Sequence, residues 1–276
     1  MKKGINAWCF PADYELKKCI EISSKAGFDG LEINMEEQQN DNSLNLNLDS
    51  KKREILQIKE LALEHNLEIP SISTGLFWEY PLTSNQEKIR NQADIIVKKM
   101  VDAADILDVD SILVVPGIVN EKVSYKKAYE RSLNYFKEIK EYAEDKEINI
   151  GIENVWNKFL LSPLEMKNFI EEINSSHIGV YFDVGNVLDF SYPEYWIEIL
   201  SDKIVKIHVK DFKTNVGNIN GFTHLLQGDV NWEKVIKVLK SIDYDNYLTA
   251  ELSPYNTYPD KLAEDTANAL EGITNL

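Results

Sequence analysis

One short stretch, Gly151-Ile-Glu-Asn-Val-Trp-Asn157, ends an apolar run with an acidic residue and two amides. Three later stretches end in the same way, each with one residue able to ligate a metal late in a β-like run: Val180-Tyr-Phe-Asp-Val-Gly-Asn186, Val205-Lys-Ile-His-Val-Lys-Asp211 and Leu248-Thr-Ala-Glu-Leu252. Polar residues at the ends of successive strands are typical of sites on parallel α/β sheets, because the loops after the strands converge there. The four stretches therefore indicate an α/β fold with its functional residues at one end.

Strand-like and helix-like segments alternate along the whole chain. The predicted strands are residues 4–8, 30–34, 69–73, 111–115, 149–153, 178–183, 204–209 and 247–251. The predicted helices are residues 13–26, 51–66, 86–107, 125–146, one that begins at Ser162, 195–200, 232–241 and 260–270, and residues 38–50 form a polar loop. Eight right-handed strand–helix pairs close into a barrel, which typically takes roughly 250 residues. With 276 residues and no linker, the predicted fold class is α/β, a (β/α)8 TIM barrel, as a single domain of residues 1–276.

Composition restricts the class of protein. The hydrophobic share of 43% and the charged share of 28% are those of a soluble globular protein without a membrane span. A net charge of -16 disfavours binding to nucleic acid or anionic membranes and suits an enzyme for small molecules. The apolar run after Met1 is too short for a secretory signal, so a cytoplasmic location is predicted. Cys9 and Cys19 are predicted to be reduced thiols.

The side chains at the four strand ends form a candidate metal site: Glu153, Asp183, His208 and Glu251. Alternation along each strand predicts that they point inward, and buried charges must be paired or bound to a metal. Three carboxylates and one imidazole favour Mn²⁺ first, with Mg²⁺, Co²⁺ or Zn²⁺ as alternatives. Taken singly, each has another interpretation: a hydrogen-bonded core histidine, an aspartate in a turn, or an acid that caps the next helix.

Longer motifs around these residues carry a family resemblance. They are Ile152-Glu-Asn-Val-Trp-Asn-Lys-Phe-Leu-Leu-Ser-Pro-Leu-Glu-Met166, Phe182-Asp-Val-Gly-Asn186, Ile207-His-Val-Lys-Asp211, Leu226-Gln-Gly-Asp-Val-Asn-Trp232 and Thr249-Ala-Glu-Leu252. Together they resemble the xylose-isomerase-like TIM-barrel sugar (phosphate) isomerases and epimerases. They are most similar to the motifs of ketose 3-epimerases, ribulose-phosphate 3-epimerases and 3-keto-glycoside epimerases. The resemblance spans most of the chain and is specific for the superfamily, not for a substrate.

The resemblance implies a metal-dependent epimerase or isomerase of a ketose, a keto-sugar derivative or a sugar phosphate. One divalent ion would be held by the four strand-end residues, with Glu153 and Glu251 as the catalytic acid and base. Removal of a proton beside a ketone creates an enediolate, which a divalent ion stabilises. Return of a proton on the opposite face inverts the carbon, whereas return to the adjacent carbon gives aldose–ketose isomerisation. Epimerisation is preferred, and which glutamate acts first is left open.

Eight residues are predicted to bind substrate: Asn186, Lys210, Asp211, Trp8, Trp78, Trp156, Phe222 and Glu32. The four aromatic residues of this set, together with Phe77, would form an apolar wall against the sugar or belong to the core. Asn186 would contact substrate or stabilise a turn. Lys210 would bind a substrate oxygen, neutralise the carboxylates or be a solvated lysine. Glu32 would bond to a sugar hydroxyl or pair with Lys206 or another lysine of the barrel.

The chain departs from the ketose 3-epimerase pattern at two places, and it carries Asn186 where some relatives have a histidine that contacts substrate or bound water. No arginine follows His208, and Phe159-Leu160 stands where ketose epimerases tend to carry a second glutamate. The chain also lacks a Gly-rich phosphate loop, and its arginines lie in helical stretches at positions 53, 90 and 131. These features do not support recognition of a phosphate, although backbone N–H groups could still hold one.

Two alternative functions fit the same barrel. An inosose-type dehydratase or lyase would share the metal and the enediolate but expel a β-hydroxyl group. A non-catalytic sugar-binding barrel would bind a sugar without exchanging carbon-bound protons, so the uptake of deuterium from heavy water separates it from an enzyme. Dimers and tetramers are common in the family, so a homo-oligomer is the expectation by analogy.

Overall fold

The computed structural model describes residues 1–38 and 44–276, so the predicted loop at residues 38–50 lies partly outside the described residues. The described strands are β1 Lys2–Asn6, β2 Gly30–Asn34, β3 Ile72–Ser73, β4 Ser111–Val114, β5 Asn149–Glu153, β6 Ile178–Asp183, β7 Ile204–Val209, β8 Asp211–Phe212, β9 Phe222–Thr223 and β10 Tyr247–Ala250. Eight of them close into a parallel barrel in the order β1-β10-β7-β6-β5-β4-β3-β2, and β8 and β9 form a small antiparallel hairpin.

A helix follows every barrel strand in the described part of the chain. The helices are α1 Leu16–Ala26, α2 Lys52–Glu64, α3 Glu87–Leu107, α4 Tyr125–Glu144, α5 Pro163–Ile173, α6 Pro193–Leu200, α7 Trp232–Ser241 and α8 Asp260–Thr274. Each turns an apolar stripe toward the barrel, which is the pattern that the sequence predicts. The prediction of a (β/α)8 barrel is therefore confirmed.

Two element boundaries differ from the prediction because of proline. The third strand is predicted at residues 69–73, but only Ile72–Ser73 form it. Pro70 has no N–H group and cannot donate to the ladder, so the pairing is interrupted there. Helix α6 begins at Pro193, two residues earlier than predicted. Proline suits the first position of a helix, because its fixed φ is helical and its missing N–H would have no partner there.

The interior of the barrel is built from residues that alternate with the apolar ones. On β5, Gly151 and Glu153 point inward, whereas Ile150 and Ile152, which alternate with them, are fully buried under the helices. Gly151 leaves space for Tyr181 on β6, since a Cβ at residue 151 would lie 3.0 Å from the Tyr181 Cβ. The parallel register then sets Glu153 beside Tyr181 and Asp183 beside His208. This arrangement delivers several polar side chains to one end of the barrel.

Paired charges close the opposite, amino-terminal end of the barrel. The Lys206 ammonium is 3.0 Å from Asp110 Oδ1, and its side chain is 3% exposed. Lys2 Nζ is 2.7 Å from Glu68 Oε2, which also accepts a hydrogen bond of 2.6 Å from the Tyr247 hydroxyl. Each of these charges has a direct partner, as expected at an end of the barrel that serves stability.

Two features of composition have a structural counterpart. None of the described helices combines the length and apolarity needed to cross a bilayer.

Cys9 and Cys19 are both free and buried. Burial raises the pKa of both thiols to about 12, which makes them poor nucleophiles.

Candidate functional site

The carboxyl ends of four barrel strands bring together the four predicted metal ligands. Glu153 ends β5, Asp183 ends β6, His208 lies in β7 and Glu251 directly follows β10. One ligand atom from each residue lies within 4.8 Å of the other three. His208 Nδ1 is 3.4 Å from Glu153 Oε1 and 3.8 Å from Glu251 Oε2. We call these four residues the acid cluster.

Asp183 is held in place by the loop that follows β5. Asn154 Oδ1 accepts from Asp183 N at 2.8 Å, and Asn154 Nδ2 donates to Asp183 O at 2.9 Å. Asp183 Oδ1 accepts from the backbone N–H of Asn186 at 2.8 Å. Asp183 Oδ2 is buried and accepts no hydrogen bond, although Lys210 Nζ lies 3.0 Å away. Because a buried carboxylate oxygen without a hydrogen bond is costly, this atom and the donor set around it fit a divalent cation.

Lys210 brings positive charge to the acid cluster. Its ammonium donates to Glu251 Oε2 and lies 5.0 Å from the centroid of the Phe222 ring. Its stem passes Gly185, where a Cβ would lie 2.5 Å from Lys210 Cγ. Although burial favours the neutral amine, Asp183 and Glu251 raise the pKa of Lys210 well above its ordinary value. The structure thus favours the interpretation of Lys210 as a neutralising cation over that of a solvated lysine.

The two glutamates of the acid cluster differ in their affinity for a proton. Burial, with Glu251 nearby, raises the pKa of Glu153 to about 7. Burial acts on Glu251 as well, but Lys210 and His208 outweigh it and lower the pKa of that carboxyl to about 2. Despite burial, Glu32 and Glu153 raise the pKa of His208 well above its ordinary value. The raised pKa values of Glu153 and His208 and the Lys210 ammonium therefore all reduce the net negative charge of the cluster.

Only two side chains of the acid cluster reach the cavity at the mouth of the barrel. Side-chain exposure is 6% for Glu153 and 21% for Glu251, against 0% for Asp183 and His208. The cavity measures 510 Å³ and includes both glutamates in its wall. Small-molecule sites typically measure about 300–1,000 Å³, so the cavity has the size of a site for a small molecule.

Four of the five predicted aromatic residues line this cavity: Trp8, Trp78, Trp156 and Phe222. Phe77 is fully buried and belongs to the core. The ring centroids of Trp156 and Phe222 are 5.0 Å apart, and Trp156 Nε1 donates to Asn186 O at 2.8 Å. Trp78 is 51% exposed and forms part of the rim. Asn186 lines the cavity too, while its Nδ2 donates to Asn154 O at 2.9 Å. Its amide therefore stabilises the turn that also carries Asp183.

Asp211, predicted to bind substrate, lies outside the cavity. It is 1% exposed. Its carboxylate accepts from Phe212 N at 2.9 Å, Val230 N at 3.0 Å and Trp232 Nε1 at 3.2 Å. These bonds join the two ends of the loop between β7 and α7. The prediction of substrate binding is therefore corrected: Asp211 is buried, anchors this loop and does not line the cavity.

Glu32, also predicted to bind substrate, lies behind the acid cluster. It is fully buried, and its Oε2 is 2.6 Å from His208 Nε2. The alternative prediction of a pair with Lys206 is corrected as well, since Lys206 pairs with Asp110 at the other end of the barrel. Glu32 is therefore a partner of the histidine.

Some residues of the site were missed by the sequence analysis. Asn154 directly follows Glu153, so its adjacency to a ligand could have identified it. Tyr181 shares the inward face of β6 with Asp183, so alternation along the strand could have identified it. His224 also lines the cavity, and its Nε2 donates to Ser253 O at 3.1 Å. It lies in the irregular loop between β9 and α7, where no periodic pattern predicts its position.

The curated relatives that the chain resembles include pentulose-phosphate epimerases. The chain is 25% identical over 260 residues to a putative L-ribulose-5-phosphate 3-epimerase of Haemophilus influenzae, covering 91% of this chain and 88% of that protein. It is 23% identical over 242 residues to an L-ribulose-5-phosphate 3-epimerase of Escherichia coli, covering 87% and 83%.

Solved structures and a family model complete the comparison. A D-psicose 3-epimerase crystallised in the presence of D-fructose superposes with a TM-score of 0.80 at 18% identity, covering 99% of this chain and 98% of that chain. At this identity the likeness shows the fold alone. Residues 20–273 match the model described as xylose isomerase-like TIM barrel. Because this match covers most of the chain, the protein belongs to the xylose isomerase-like TIM-barrel family.

Proposed function

We propose that the protein is a metal-dependent epimerase that inverts the carbon next to the carbonyl of a ketose, a keto-sugar derivative or a sugar phosphate. The observation that carries the proposal is that Glu153 and Glu251 face the cavity, whereas Asp183 and His208 are fully buried. The 3-epimerase names of the sequence relatives support the same reaction.

Inversion needs one group to remove a proton and another to return one from the opposite face. Glu153 and Glu251 come from barrel strands that are separated by β6 and β7, so their carboxylates approach the cavity from different directions. In this proposal one glutamate takes the proton from the substrate carbon, and the other delivers a proton to the same carbon. The aromatic residues of the wall cover the apolar face of the sugar and exclude water.

Metal dependence rests on the donor set of the acid cluster. Glu153, Asp183, His208 and Glu251 would hold one divalent ion, with Mn²⁺ as the first candidate and Mg²⁺, Co²⁺ or Zn²⁺ as alternatives. When bound, such an ion supplies charge stabilisation for the enediolate oxygens. Lys210 would then be free to move from the carboxylates toward a substrate oxygen.

Deuterium exchange in heavy water tests the proposal. The protein is supplied with Mn²⁺ and incubated with D-fructose, D-psicose, D-tagatose, L-ribulose and L-ribulose 5-phosphate, and deuterium at the carbon beside the carbonyl is followed by NMR. We expect exchange together with the epimeric product for at least one sugar. Loss of water from the substrate would indicate a dehydratase. Sugar binding with no exchange would overturn the proposal in favour of a non-catalytic barrel.

A matched pair of variants assigns the exchange to the site. Glu153→Gln removes a cavity carboxylate, and Glu68→Gln makes the same substitution at the opposite end of the barrel. Exchange should be lost in the first variant and kept in the second. Equal exchange in both would show that the proton transfer does not use Glu153.

A further inference from the structure

A second carboxylate stands behind the histidine of the acid cluster. The imidazole of His208 lies between two sets of acids: its Nδ1 faces Glu153 and Glu251, and its Nε2 is 2.6 Å from Glu32 Oε2. Glu32 is on β2, is fully buried, and does not line the cavity. Glu32 is neither a ligand of the divalent ion nor an acid or base in the proposed epimerisation.

Glu32 is fixed on every side by hydrogen bonds. Its Oε1 accepts from Ser71 Oγ at 2.6 Å and from the Tyr181 hydroxyl at 2.7 Å. Its Oε2 accepts from Asn6 Nδ2 in addition to facing the imidazole. A carboxylate has about four acceptor positions, so those of Glu32 are all in use. The carboxylate cannot turn away from the histidine without breaking several of these bonds.

The ring of His208 is fixed as well. The ring of Tyr181 packs against the imidazole with centroids 4.5 Å apart, and the hydroxyl of the same tyrosine donates to Glu32. One tyrosine thus locates both partners of the Glu32–His208 contact. A buried charge is costly, and an apolar side chain would fill the interior at lower cost. A carboxylate at this position therefore requires a reason beyond packing.

We propose that Glu32 is a positioning residue that retains the Nε2 proton of His208, so that Nδ1 is the nitrogen presented to the divalent ion. Neutral imidazole carries a proton on one nitrogen only, and an acceptor at one nitrogen fixes the lone pair on the other. In metal sites a carboxylate behind a ligating histidine sets both its tautomer and its orientation. The inference rests on the metal site of the proposed function.

Metal affinity tests the role of Glu32 separately from activity. Mn²⁺ binding is measured by calorimetry for the wild-type protein, Glu32→Gln and Ser71→Ala. Loss of such a partner typically weakens metal binding by about 10–100-fold, which is the change expected for Glu32→Gln. Ser71→Ala removes a hydrogen bond from the same carboxylate but leaves the acceptor for Nε2, so its affinity should remain near that of the wild type. Equal affinity of Glu32→Gln and the wild type would overturn the proposal, and so would equal weakening in both variants.

A spectroscopic measurement on the unaltered chain covers the case in which Glu32→Gln does not fold. The ¹⁵N-labelled protein is titrated with diamagnetic Zn²⁺, and long-range ¹H–¹⁵N spectra report which ring nitrogen carries the proton. We expect His208 in the zinc form to keep its proton on Nε2. A proton on Nδ1 would overturn the inference. A wild-type protein that binds neither Mn²⁺ nor Zn²⁺ would instead refute the metal site on which the inference rests.

Discussion

The two ends of the barrel arrange charge in opposite ways. At the amino-terminal end, Lys206 pairs with Asp110, and Lys2 pairs with Glu68. At the carboxyl end, three carboxylates and a histidine crowd within 4.8 Å of one another, and Lys210 is the cation among them in the described part of the chain. The same eight strands thus support one end in which charges are paired and another in which acidic groups are concentrated.

This difference indicates that the carboxyl end of the barrel serves function and that the amino-terminal end serves stability. A like-charge cluster that is almost fully buried lowers stability unless a cation offsets it. Such a cluster is maintained where it contributes to binding or catalysis, and in barrels of this class that place is the mouth after the strands. Substitutions at the mouth should therefore change ion binding and turnover, and substitutions at the opposite end should change stability alone.

The largest effect is expected from Glu153→Gln. Removal of a general acid or base costs about 10²–10⁴-fold in rate. Glu68→Gln, at the paired end, should leave the rate unchanged. The measurement is the rate of deuterium incorporation into an accepted ketose with saturating Mn²⁺. Comparable loss in both variants would mean that the two ends do not differ in function.

A divalent ion bound to the acid cluster should stabilise the folded state of the protein. A ligand at 100 times its dissociation constant stabilises the folded state by about 2.7 kcal/mol. We expect the free energy of unfolding, measured by urea denaturation, to rise by that amount when Mn²⁺ is returned to chelator-treated protein. Glu68→Gln should show the same gain, and His208→Ala should show none. An undiminished gain in His208→Ala would place the ion elsewhere.

A smaller effect is expected at the rim of the cavity. Trp78 is 51% exposed and lines the cavity, so a sugar bound there would cover part of its ring. Trp78→Ala should raise KM by roughly fivefold, equivalent to about 1 kcal/mol of lost apolar contact, with little change in kcat. Tyr258→Ala is the matched control, because Tyr258 is 71% exposed and does not line the cavity. A fall in kcat without a change in KM would assign Trp78 to the chemical step instead.

The smallest effect is expected at the paired end and depends on pH. Hydrogen bonds from Lys2 and Tyr247 lower the pKa of Glu68. The stability that Glu68 contributes is therefore fully present above its unfolded pKa of about 4.3 and is lost as the pH falls through the lower folded value. The difference in urea midpoint between the wild type and Glu68→Gln should shrink as the pH is lowered from neutrality through that region. Glu60→Gln, at an exposed position of α2, should show no such trend.

The sequence predicts the acid cluster well because the relevant pattern is local. Side chains alternate along a strand, so the position of Glu153, His208 and Glu251 on inward faces follows from a few neighbouring residues. The same rule argues against Asp211, which lies three residues after His208 and therefore on the opposite face.

Other features depend on contacts that a linear pattern does not contain. Glu32 and His208 are 176 positions apart, and their contact arises only when the barrel closes. His224 lies in an irregular loop, and its place in the cavity wall likewise arises only from the folded arrangement of the chain. The interruption of strand pairing at Pro70 is predictable from the sequence, because a residue without an N–H interrupts a ladder wherever it occurs.

Metal content is the most direct test of the contrast between the two ends. Protein purified without chelators is analysed by mass spectrometry for Mn, Mg, Co and Zn, beside His208→Ala at the mouth and Lys206→Met at the paired end. We expect about one divalent ion per chain in the wild type and in Lys206→Met, and none in His208→Ala. A wild-type protein that is empty and also fails to take up added Mn²⁺ would contradict it.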